Sequence, residues 1–110
     1  MQQTITISVI TITYNAAKVL QRTLDSVAHQ TYQHIEHLII DGASKDDTLA
    51  IAHRYAEGKN YPVVIQSEPD KGIYDAMNKG MAKAKGDYLV FLNAGDVFHA
   101  DDTLQTVCQT

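Results

Sequence analysis

Four apolar segments of this chain each run straight into a short polar or acidic cluster, and that repetition limits the folds open to it. The clusters are Thr13-Tyr14-Asn15, Asp41-Gly42-Ala43-Ser44, Ser67-Glu68-Pro69-Asp70-Lys71-Gly72 and Asn93-Ala94-Gly95-Asp96. Ile5 to Thr13 carries Ile5, Ile7, Val9, Ile10 and Ile12 and no charge, which suits a strand buried on both faces. Ile35 to Ile40, Val63 to Gln66 and Tyr88 to Leu92 read as three more strands. Between them fall helical stripes: Leu20, Leu24, Val27 and Ala28; then Leu49, Ile51, Ala52, Tyr55 and Ala56; then Ile73, Met77, Gly80, Met81 and Ala84. A last helix is predicted from Asp101 to about Val107. Strands alternating with helices predict an α/β fold, a Rossmann-like parallel sheet with flanking helices. In such a sheet all four clusters share the carboxyl edge, where open α/β sheets bind ligands.

Punctuation supports the same reading. Asn15 is predicted to cap the first helix, and Ser44, Asp46 or Asp47 the second. Gly58 and Asn60 stop the second helix and Gly86 the third. Met77, Met81, Tyr74 and Phe91 read as core. At 110 residues the chain is one small domain, and its net charge of −4 argues against a nucleic-acid partner. The densest basic run, Lys79, Lys83 and Lys85, reads as a solvated helix face. A single cysteine, Cys108, excludes an internal disulfide and a multi-cysteine zinc site. No signal peptide and no apolar stretch of membrane-spanning length is read, so the expected location is cytoplasmic, with the inner face of the membrane as a place of peripheral association.

Several residues at the edge invite chemistry. Asp41 follows Leu38-Ile39-Ile40, and a carboxylate there can accept a hydrogen bond from a nucleobase ring N–H; an Asp-Gly turn leaving the sheet is the plainer alternative. Asp96 follows Leu89 to Leu92 and can ligate Mg²⁺ or Mn²⁺, or be an ordinary loop aspartate. Lys71 and Gly72 precede a helix whose N-terminus favours anions, although taken alone a solvated loop lysine is the plainer reading. No Walker A or G-x-G-x-x-G pattern is present, and His29, His34, His37, His53 and His99 lack metal-ligand spacing, so they read as surface or packing residues.

Taken together, the segments resemble the family 2 glycosyltransferases of GT-A fold. The resemblance is carried by Ser8 to Asn15, Ser26 to Gln30 with Tyr32, and Leu38 to Ser44 with Asp47-Thr48. It continues through Ser67 to Gly80, Ala84 to Tyr88 and Leu92 to Asp96, nearly the whole chain. The Gly-Ile-Tyr-Asp-Ala-Met-Asn-Lys-Gly run looks like the branch acting in exopolysaccharide, colanic-acid-like or O-antigen assembly. The resemblance implies that residues 1–110 are the nucleotide-sugar-binding half of such an enzyme. It implies Tyr14 beside the base with the main chain of Thr13, Asp41 reading the base (usually uracil), Lys71 near the diphosphate or sugar, and Asn78 near the nucleotide. Asn15, Asn93 and Gly95 fall in the same donor-binding stretches. Asp96 matches the last aspartate of the family's D-x-D-like motif, which holds a divalent Mn²⁺ or Mg²⁺ cofactor.

Two departures stand out. Asn93 and Gly95 replace acidic residues common in the family, leaving Asp96 to hold the metal with help from the diphosphate. Family members also carry a second half with acceptor contacts and the catalytic base, which by this reading lies beyond Thr110. The implied reaction is an inverting transfer from a UDP-sugar to a saccharide or lipid-linked acceptor, with the chain alone binding donor but inactive. An apolar fourth strand near a sheet edge predicts a homodimer. Two other classes fit the length: a flavodoxin-like or response-regulator-like signalling domain, the latter needing an acidic pair near the first strand, and a noncatalytic nucleotide-binding or scaffolding module.

Overall fold

A computed structural model describes residues 5–109. The described elements are strand β1 (Ile7–Thr13), helix α1 (Leu20–Ala28), β2 (Ile35–Asp41), α2 (Thr48–Ala56), β3 (Val63–Ser67), α3 (Ile73–Lys83), β4 (Tyr88–Phe91) and α4 (Thr103–Gln109). The strands form one parallel sheet in the order β3-β2-β1-β4. Thr13 pairs with Asp41 and Asp41 with Ser67, so three strands end flush. Ile10 pairs with Phe91, which brings the end of β4 to the same edge. The predicted α/β Rossmann-like parallel sheet and its common carboxyl edge are therefore present.

Alternation along the strands divides the core between two faces. Ile7, Val9 and Ile39 pack with Leu20, Leu24 and Val27 of α1, Ala52 and Tyr55 of α2, and Leu104 of α4. Ile10, Leu38 and Ile40 pack with Ala76 of α3 on the opposite face. Gly80 lets α3 approach closely: a Cβ there would stand 2.6 Å from Ile10 Cγ2. This approach explains two departures from the sequence reading. With small Ala76 and Gly80 on its inner face, α3 turns Tyr74 (79 % exposed) and Met81 (42 % exposed) outward instead of into the core. Met77 and Phe91 are partly buried, Phe91 against the α3-side cluster.

The predicted caps also shift. Asn15 does not cap α1; its backbone is left-handed (φ 48°), and α1 starts after a turn in which Leu20 N–H donates to the Ala16 carbonyl (2.9 Å). Ser44 turns back to Asp41, and Asp46 Oδ1 accepts from Thr48 N–H at 3.0 Å, while Asp47 at the N-cap position makes no side-chain cap bond. α4 begins at Thr103 rather than Asp101. No described helix is long and apolar enough to cross a membrane.

Candidate functional site

Buried order at the carboxyl edge begins with Asp41. Its side chain has no solvent exposure. Thr13 Oγ1 and Ser44 Oγ donate to Oδ1 at 2.7 and 2.5 Å, and Ser44 N–H and Ser67 Oγ donate to Oδ2, both at 2.8 Å. Burial by itself raises this carboxyl's pKa, but the hydrogen bonds from Ser44, Thr13 and Ser67 outweigh it and hold the group below its ordinary value. One ionised carboxylate thus binds the ends of β1, β2 and β3 together. The same tie extends outward: Asn15 N–H donates to Ser44 Oγ (2.8 Å), Lys45 N–H to Asn15 Oδ1 (2.8 Å) and Ala16 N–H to Thr48 Oγ1 (2.8 Å).

Beside this knot lies a cleft of about 510 Å³ between the strand ends and the start of α3. Tyr14 and Asp70 flank Gly42 within it: a Cβ on Gly42 would lie 2.9 Å from Asp70 Oδ2 and 3.4 Å from Tyr14 Cδ1. Tyr14 is 61 % exposed, an aromatic face offered to solvent. Pro69, Gly72, Ile73 and Ala76 supply the α3 side, with Ile12 and Thr13 beneath. Lys79 holds the floor of the β3–α3 loop. Its Nζ lies 2.7 Å from Asp70 Oδ1, 3.0 Å from the Pro69 carbonyl, 3.2 Å from Glu68 Oε1 and 3.5 Å from Asp75 Oδ2. The Asp70 hydrogen bond leads the causes that raise the Lys79 pKa. Asp75 Oδ2 accepts from Lys71 N–H at 2.9 Å, closing the first turn of α3 on its own acid.

The β4 end is built more sparsely. Ala94 N–H donates to the Ile12 carbonyl (3.1 Å) and Gly95 N–H to Thr23 Oγ1 (2.8 Å), which anchors the loop beside β1. Asp96 is exposed, and Asn93 Oδ1 is buried without a hydrogen-bond partner among the described residues. No group of three or more His, Cys, Asp or Glu residues fit to hold a metal occurs among the described residues. The oxygens on this loop, one exposed carboxylate and one orphaned amide oxygen, are hard donors of the type a divalent ion takes.

The sequence-derived site residues therefore divide. Thr13 and Tyr14 line the cleft. Asn15 and Asp41 do not; Asp41 is buried, with its carboxylate bound by Thr13, Ser44 and Ser67 in the loop knot. Lys71 is exposed near Gly72, outside the lining. Asn78 is exposed and sits two residues past Ala76, on the other side of α3 from the cleft. Asn93, Gly95 and Asp96 share one loop beside the end of β1. Sequence reasoning left Gly42, Asp70 and Lys79 out of the site; the pairing of Asp70 with a lysine nine residues on, across a loop, has no local periodicity to announce it.

A parallel sheet whose loops make one open cleft at the carboxyl edge places the chain among ligand-binding α/β domains. Comparison with known proteins sharpens this. Residues 8–109 match the family described as glycosyl transferase family 2, and the chain belongs to that family. An uncharacterized glycosyltransferase of Mycobacterium tuberculosis is 49 % identical over 90 % of this chain and 37 % of its own length. The mannosyltransferase PcManGT from Pyrobaculum calidifontis, solved with GDP-Man and Mn²⁺, superposes with a TM-score of 0.87 at 29 % identity, over 94 % of this chain and 31 % of that one. S. aureus TarS, solved with UDP-GlcNAc, gives 0.83 at 28 % identity, over 94 % and 30 %. The fold is thus that of GT-A glycosyltransferases, and the chain spans well under half the length of the curated relatives it matches.

Proposed function

We propose that this chain is the donor-binding part, residues 1–110, of a glycosyltransferase that moves a sugar from a nucleoside diphosphate sugar, a UDP-sugar, to a saccharide or lipid-linked acceptor in polysaccharide assembly. The observation that carries the reading is the cleft at the ends of β1 and β2, with Tyr14 for a base to stack on and the Asn93–Asp96 loop on the same edge. Tyr14, 61 % exposed, gives a planar ligand an aromatic face. Asp41 supports the cleft from behind by holding Thr13, Ser44 and Ser67 in place. The backbone around Gly72 and the start of α3 meet the anionic part of the donor, with Lys71 adding positive charge from the loop.

Asp96 and Asn93 would hold a divalent cation, Mn²⁺ or Mg²⁺. When bound, that ion neutralises charge on the departing nucleoside diphosphate. Transfer with inversion needs a base to take the acceptor hydroxyl's proton as it attacks the anomeric carbon from the face opposite the diphosphate. Among the described residues Asp70 is the one carboxylate lining this cleft, and Lys79 holds one of its oxygens, so the reading places the base outside the cleft. The chain alone is therefore expected to bind donor without turning it over, working in the cytoplasm or at the inner membrane face. Titration calorimetry tests the reading: UDP should release heat, and more tightly with Mn²⁺ present. Folded protein that gives no heat with UDP at millimolar concentration would refute it.

A further inference from the structure

We propose that Thr23 is a positioning residue for the divalent cation: from the buried side of α1, its hydroxyl sets the backbone of the loop that carries Asp96. The inference rests on the donor-binding reading above and deepens its metal site. Residues 93–102 contain no helix or strand, so their backbone N–H groups need partners outside the regular ladders. α1 and the turn that ends it supply partners from one side. Gly95 N–H donates to Thr23 Oγ1 (2.8 Å), Phe98 N–H to Ser26 Oγ (3.3 Å) and Leu104 N–H to Gln30 Oε1 (3.0 Å). Gln30 Nε2 donates in turn to the Ala100 carbonyl (2.7 Å). Thr23, Ser26 and Gln30 stand three and four residues apart, the spacing of one helix face. Thr23 and Gln30 are both buried.

Thr23 is the rung next to Asp96. Ala94 N–H is taken by the Ile12 carbonyl (3.1 Å) and Asp96 N–H by the Asn93 carbonyl (2.9 Å), both main-chain contacts. Between them, Gly95 N–H is taken by the Thr23 side chain. Gly95 has a φ of 100°, a backbone bend that suits glycine, and the Thr23 bond ties that bend to α1. Asp96 is exposed, so its place is set by the backbone that carries it rather than by packing of its side chain. Thr23 shares α1 with Leu20, Leu24 and Val27, all fully buried, where an apolar side chain of the same shape would suit the surroundings. A hydroxyl there gives the loop an acceptor that a methyl group would deny it. Groups that orient metal ligands act on metal affinity without touching the ion. Thr23 does not line the cleft, so binding of a nucleotide without metal does not depend on it.

The test measures UDP binding with and without Mn²⁺, and Mn²⁺ binding in the presence of UDP, for wild type, Thr23→Val and Thr23→Ser. Circular dichroism confirms the fold, and electron paramagnetic resonance reads the bound Mn²⁺ directly. Thr23→Val keeps the shape and removes the acceptor. Its affinity for UDP alone should match wild type, its Mn²⁺ affinity should fall about tenfold or more, and its bound-Mn²⁺ spectrum should change. Thr23→Ser keeps a hydroxyl and should recover most of the loss. A role in stability alone would lower the urea midpoint and leave the Mn²⁺ affinity and spectrum unmoved. Should Thr23→Val fail to fold, Ser26→Ala carries the test from a half-buried position, where it removes the acceptor of Phe98 N–H. It should weaken Mn²⁺ and spare UDP alone. Wild-type Mn²⁺ affinity in the folded variant, or UDP weakened equally with and without metal, would overturn the inference while leaving the donor-binding reading standing. So would wild type that binds UDP with no response to Mn²⁺. Failure of folded wild type to bind UDP at all would overturn both.

Discussion

The two ends of the carboxyl edge are built to different standards. At the β1–β2–β3 end, Asp41 receives four hydrogen bonds and shows no exposure. At the β4 end, Asp96 is exposed and Asn93 Oδ1 is buried with no partner among the described residues. In the first region the Asp41 carboxylate has its hydrogen bonds supplied by the chain itself. The second is left with unused oxygen donors, which is what a site finished by a cation and phosphate requires. The contrast teaches that equally conspicuous aspartates at strand ends can be built in opposite ways, one gathering loops around itself and one left open to solvent.

Substitution offers the strongest way to break that contrast. Asp41→Ala strips the partner from three hydroxyls and a backbone N–H, and should cost about 3 kcal/mol or more in urea unfolding. A loss under about 1 kcal/mol would mean the knot does not hold the loops together.

Acid should act next, first through a group near the other end of β2. His37, on the same strand as Asp41, is fully buried between Thr11 Oγ1 (2.7 Å) and the Tyr55 hydroxyl (2.8 Å), which in turn meets the Tyr61 hydroxyl at 2.6 Å. Burial lowers its pKa from the ordinary 6.5 to about 3. Between those values the unfolded chain takes up a proton that the folded chain refuses. Stability should therefore fall as pH drops through this window, by about 1.4 kcal/mol per pH unit from this residue. Asp41 adds to the loss lower down: its folded pKa is depressed, so its contribution is complete above about pH 4 and disappears as pH falls through the folded value. Denaturant titrations at several pH values should give a steep acid limb that His37→Gln flattens.

The smallest effect belongs to the β4 end. Asp96→Ala should leave stability within about 0.5 kcal/mol, because the side chain is exposed, yet abolish the strengthening of UDP binding by Mn²⁺. An unchanged Mn²⁺ response would remove Asp96 from the metal site and sharpen attention on Asn93.

Much of this architecture was legible in the chain because it depends on local pattern. Runs such as Ser8 to Ile12 and Leu38 to Ile40 carry β-branched and apolar residues without charge, and each ends at a polar cluster, so strands and edge follow directly. The outer side of α3 is not legible from pattern alone: Tyr74 and Met81 look like core, but Gly80 and Ala76 press the helix onto Ile10 and Ile40 and turn them outward. Asn78 was likewise drawn to the site by resemblance, while the helical turn carries it away from Ala76 and the cleft.

What the amino-acid order determined by itself is the succession of elements, and with it the edge on which a ligand can sit, since side-chain periodicity and turn chemistry act over a few residues. Which aspartate on that edge is gathered into a knot and which is left open was decided only by the tertiary structure. Asp41 is bound by Thr13 and Ser67, and Asp70 by Lys79, all from other segments of the chain. A carboxylate's role follows from the donors that reach it, and those donors meet it only once strands and helix have packed.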